Sequence, residues 1–193
     1  MDIIGQATSK PAVIQSHLKK LFAGIHSVVF DADDRRVTAV SSLEGERVPL
    51  RTPISVDGDV EVWLNHLVDA TSSTLRALLG ECLAERRRGD DVDVSRYPSQ
   101  VLCLAEAIVF SEACERVIPS RGLDMLLADY KKQLASYTTS CQQNEPDDGV
   151  TLLKLQSLIM DVIHYIDIIE QLIEAQCRAL DDWCWQKQLR YGQ

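Results

Sequence analysis

VTLLKLQSLIMDVIHYIDIIEQLIEAQCRALDDWCWQKQLRY (Val150–Tyr191) decides how this chain folds. Leu155, Leu158, Ile159, Val162, Ile163, Ile166, Ile169, Leu172 and Ile173 recur at helical period and form a wide apolar stripe, while Gln156, Asp161, His164, Asp167, Gln171 and Glu174 fall on the other side. The pattern predicts one long helix over 150–190. Such a helix gains little from intrinsic propensity and depends on burying its stripe, so the rest of the chain must supply a partner surface. Past the stripe the sequence becomes dense in aromatic and cationic residues, and it ends two residues after Tyr191. It therefore reads as a piece of a longer chain.

Upstream, Pro11 opens a helix over 11–24 that Gly24 closes, because a missing N–H costs nothing in a first turn and glycine tolerates the left-handed cap. Over 27–50 the period shortens to that of strands. Val28-Val29-Phe30, Val37 to Val40 and Arg47 to Leu50, separated by polar turns, predict a small antiparallel meander. Pro49 cannot donate to a ladder, which puts the third strand at an edge. Helices follow over 59–88, ending in Arg86-Arg87-Arg88-Gly89, over 98–118 and over 122–141. An acidic loop, Gln142 to Gly149, leads into the long helix. The expected fold is mainly α, an elongated array of packed helices with the β meander near its N-terminus, forming one partial domain over 1–193.

Composition narrows the function. With 20 Lys and Arg against 29 Asp and Glu, the net charge of −9 argues against nucleic acid and against acidic membrane surfaces, both of which bind through clustered cations. No run of 18 apolar residues spans a membrane and Met1 to Lys20 lack a signal-peptide pattern, so a cytosolic chain is expected. The six cysteines include no C-x-x-C pair. They read as reduced thiols acting as small apolar groups.

Catalytic chemistry is hard to find. There is no Walker A loop, no dinucleotide fingerprint and no nucleophile elbow. Asp161, His164 and Asp167 stand three apart on a helix, as metal ligands can. A di-metal bundle would need a second such motif, and none is present, so a solvated face is the simpler account. Arg86 to Arg88 could form a basic contact site, although a helix C-terminus already explains them. Trp183 and Trp185, two apart, would point about 160° from each other on a helix. Either one packs outside the chain, or the helix has ended and both fold back on one core.

Four segments carry a resemblance: VIQSHLKKLFAGIHSVVF (Val13–Phe30), AVSSLEGERVPL (Ala39–Leu50), PSQVLCLAEAI (Pro98–Ile108) and DDWCWQKQLRY (Asp181–Tyr191). In order and spacing they resemble the linker region that precedes the ATPase ring of dynein heavy chains. QSHLKKLFAGI and PSQVLCLAE are most similar to the cytoplasmic dynein class of intraflagellar transport. The resemblance implies a mechanical part, a lever that couples ATP hydrolysis in a ring of AAA modules to movement along a microtubule. It implies no catalytic, cofactor or metal residue in this chain, with ATP and Mg²⁺ held elsewhere in the parent heavy chain. Partners would be the ring and the remaining linker of that chain, and the dynein complex and microtubule only through it, in cytoplasm, cytoskeleton and cilium. Trp183, Trp185, Lys187, Arg190 and Tyr191 would be the ring-coupling residues. The alternative expectation is a stand-alone helical interaction module that uses the apolar face of 150–180.

Overall fold

A computed structural model describes Leu18 and residues 22–57, 59–89, 92–143 and 149–188. The order is β1 (Ser27–Phe30), β2 (Arg36–Ser41), β3 (Arg47–Ser55), α1 (Val60–Arg88), α2 (Ser99–Val117), α3 (Leu123–Gln143), α4 (Gly149–Glu174) and α5 (Trp183–Gln186). The protein is mainly helical, with a small antiparallel sheet followed by packed helices. It divides into two compact units, Met1–Leu78 and Leu79–Gln193, the division falling within α1.

In the first unit the strands run β1-β2-β3, each pair antiparallel, with β2 central. The β1–β2 turn is held by Asp31, whose carboxylate accepts from the N–H groups of Arg35 (2.9 Å) and Arg36 (3.1 Å). Asp34 takes a positive φ of 55° there, a conformation that short polar side chains tolerate. β3 is an edge strand, as Pro49 requires, but it continues to Ser55, past the expected end at residue 50. The register explains this. Ala39 pairs with Pro49 and Val37 with Ile54, so the segment between them leaves the ladder and Pro53 need not donate. Within that segment the Arg51 N–H donates to Oγ1 of buried Thr74 on α1 (3.2 Å). Val28, Val37, Val40, Leu50 and Ile54 close a core with Leu18 and with Trp63 and Leu67 of α1. Of the expected helix over 11–24, only Leu18 and the end from Phe22 lie among the described residues; Phe22 donates to the Leu18 carbonyl at 2.8 Å.

In the second unit α2, α3 and α4 surround one core, α3 and α4 packing along each other most extensively. Its centre is aromatic. Phe110 stacks on Tyr165 (4.2 Å between ring centroids), and Tyr130 meets Phe110 edge-on at 5.6 Å. Both geometries suit the ring quadrupole. Leu126, Val162, Ile169 and Leu172 fill the space around them. The long helix expected over 150–190 is shorter than its pattern: α4 ends at Glu174 and the chain turns before α5.

Ion pairs tie the C-terminal part of α1 to α2. Arg86 pairs with Glu106, whose side chain is 1% exposed and also accepts from Gln133 Nε2 of α3 at 3.1 Å. Arg87 grips Glu112 with two nitrogens, Nε at 3.1 Å. The buried Lys154 ammonium of α4 donates to the Tyr97 carbonyl at 2.9 Å, anchoring the segment before α2. The Tyr97 hydroxyl in turn donates to Glu85 at 2.8 Å.

Candidate functional site

The segment after Glu174 carries the aromatic and cationic residues singled out in the sequence, and it is built as a turn. Gln176 donates to the Ile173 carbonyl and Cys177 to the Leu172 carbonyl, both at 2.9 Å, with Gln176 at φ 53°. This is a Schellman termination, and it satisfies carbonyls that the helix end would otherwise leave open. Cys177, the residue after the left-handed one, buries in the same cluster as Leu172, which is the apolar contact that accompanies the motif. Glycine is the usual residue where Gln176 stands, so the stop left no mark in the sequence.

Asp182 organises the next turn. Its Oδ2 accepts from the N–H groups of Arg178 (2.7 Å) and Ala179 (3.0 Å), and these bonds hold its carboxyl below the ordinary range. Its backbone carbonyl accepts from Trp185 and Gln186, both at 3.0 Å, and so starts α5. This single helical turn carries both tryptophans. Trp185 is 0% exposed in the core, and Trp183 is 77% exposed. The helix has ended, as one alternative expected, but only Trp185 folds back on the core; Trp183 does not. Lys187, the C-cap of α5, is exposed. Arg190 and Tyr191 lie outside the described residues.

The same turn brings together side chains that the sequence does not link. Cys177, Asp182 and Cys184 each place one ligand atom within 4.8 Å of the others. Burial pushes the Cys177 thiol up to about 12, with the neighbouring Cys184 and the Asp182 charge adding to the shift. Asp161, His164 and Asp167 form no such group: His164 and Asp167 are exposed, and Asp167 accepts from Gln171 Nε2 at 2.8 Å. Arg86 and Arg87, read as helix-end charges, are engaged with α2. Along α4, Leu153 (48% exposed), Met160 (67%) and Ile163 (46%) leave apolar surface uncovered. Among the described residues, no helix is long and apolar enough to cross a membrane.

Comparison with known proteins gives the turn and its helices a context. Residues 1–82 match the family described as dynein heavy chain, N-terminal region 2. Similarity to dynein heavy chains extends over 99% of the chain, so this is a dynein heavy chain sequence. Within that family it is 45% identical to cytoplasmic dynein 2 heavy chain 1 of Rattus norvegicus and 44% identical to that of Homo sapiens. Identity falls to 29% with the cytoplasmic dynein heavy chain of Dictyostelium discoideum, which sets the chain with the dynein 2 class. It spans about 4% of the length of these relatives.

Proposed function

We propose that this segment is the C-terminal part of the linker of a dynein 2 heavy chain. It transmits force between the AAA ring and the rest of the lever and performs no catalysis. The observation that carries the reading is the continuous similarity to dynein 2 heavy chains, 45% identity over 99% of the chain. The fold is consistent with a mechanical role, since side-by-side helices with close-packed cores resist bending. ATP and Mg²⁺ belong to the ring of the parent chain. The dynein complex and the microtubule are reached through that parent chain, in cytoplasm, cytoskeleton and cilium during intraflagellar transport.

Trp183, Lys187, Arg190 and Tyr191 are the groups proposed to meet the first AAA module. Trp183 and Lys187 are exposed beside the buried Trp185 that anchors their turn. Alanine at Lys187, Arg190 and Tyr191 in the full heavy chain should lower microtubule gliding velocity while ATP turnover continues; unchanged velocity overturns the assignment.

The exposed Leu153, Met160 and Ile163 on α4 favour a second reading, a stand-alone module that binds a partner helix. An immunoblot of ciliated cells with an antibody against Gln142 to Gly149 separates the two. A very large band supports the motor chain, and a band near 21.6 kDa supports the module.

A further inference from the structure

We propose that Cys177, Asp182 and Cys184 form a binding site for one thiophilic divalent cation, zinc foremost, with solvent completing a four-coordinate shell. Two sulfurs and one carboxylate oxygen are a donor set suited to a borderline-soft ion. Zinc holds sulfur at about 2.3 Å and oxygen at about 2.0–2.2 Å, which places tetrahedral ligand atoms roughly 3.5–3.8 Å apart. The three atoms here already lie within 4.8 Å of one another, so closure on an ion needs a contraction of about an ångström or less.

The backbone holds all three ligands in place before any ion binds. The Cys177 backbone is fixed by its N–H bond to the Leu172 carbonyl in the Schellman turn, and Cys184 sits on α5 two residues after its N-cap, Asp182. The carboxylate is oriented through Oδ2 by the N–H groups of Arg178 and Ala179, an outer set of hydrogen bonds of the kind that aims metal ligands. Cys177 is buried, while Asp182 and Cys184 are half-exposed, so the group opens to water on one side and leaves a place for a fourth ligand. Binding breaks both S–H bonds, forms two metal–sulfur bonds and one metal–oxygen bond, and releases two protons to solvent with no change of oxidation state. Affinity therefore rises with pH. The bound ion would clamp the end of α4 to α5. This inference rests on the geometry of the turn and stands whether or not the segment is a lever.

Cobalt(II) titration of the reduced 193-residue chain under anaerobic conditions tests it, followed by displacement with zinc. The expected result is thiolate-to-cobalt charge-transfer absorption that saturates at one equivalent, bleaches on adding zinc and strengthens from neutral to mildly alkaline pH. Cys184→Ser should abolish the band and Asp182→Asn should weaken binding on the order of tenfold or more, whereas Cys141→Ser should leave it intact. Cys184 is half-exposed, and circular dichroism of its variant confirms that loss of the band is not loss of the fold. Absence of the band in the folded wild-type chain, or its persistence in Cys184→Ser, overturns the proposal.

Discussion

Gln176 and Arg121 occupy the left-handed conformation at φ 53° and 58°, each closing a helix at a position where glycine is the unstrained choice. Gln176→Gly should therefore raise stability by about 0.5–1 kcal/mol in a thermal or denaturant melt; a lower stability would mean that the glutamine side chain contributes more than the strain it bears. Arg86 presents the opposite case. Its removal leaves the buried Glu106 carboxylate with only Gln133, so Arg86→Ala should cost roughly 3–5 kcal/mol, while a well-packed apolar replacement of both partners should recover most of that. A loss below about 1 kcal/mol would show that water reaches Glu106. Asp182 supplies the pH test. Its folded carboxyl lies below the ordinary value, so its contribution is fully present above about pH 4 and is lost as pH falls through the folded value. The Tm difference between the wild-type chain and Asp182→Asn should shrink over that acid range, and a difference independent of pH would contradict the assigned hydrogen bonds. The two arginine pairs escape a reading of sequence. Glu106 and Glu112 reach Arg86 and Arg87 from another helix, and helical spacing reports only neighbours three or four residues away.

Elements were legible where period and punctuation agreed. Pro98 and Arg86 to Gly89 bracket α1 and α2 closely, and Pro49 correctly puts β3 at an edge. Two boundaries were not legible. β3 runs on to Ser55 because a segment between Pro49 and Ile54 leaves the ladder, and α4 stops at Glu174 because Gln176 accepts a glycine's conformation. The consequence of that stop is the inward Trp185. Trp185→Ala should cost about 3–5 kcal/mol, as for other fully buried indoles. Acrylamide quenching checks the same geometry. Trp63 and Trp185 are buried and Trp183 is exposed, so Trp183→Phe should remove the quencher-accessible fluorescence. Retention of that fraction would mean that α5 does not dock as described. The grouping of Cys177 with Cys184 was hidden for the same reason: on an unbroken helix they would lie about two turns apart, and the turn after Glu174 folds them together.

For the molecule as a whole, the resemblance carried by four short motifs extends over 99% of the chain, and the mainly helical fold with its small meander follows the hydrophobic pattern. The family was legible through that resemblance rather than through local chemistry, and the force-transmitting role proposed for the segment would call for packing and a junction rather than a catalytic signature. The proposed junction lies at the C-terminal turn, where Trp185 anchors from within and Trp183 and Lys187 are exposed. Its most direct test measures microtubule gliding velocity and ATP turnover together, comparing a full dynein 2 heavy chain with a variant carrying alanine at Lys187, Arg190 and Tyr191. Slowed gliding with ATP turnover retained is the expected result. Gliding at the unaltered speed would contradict it.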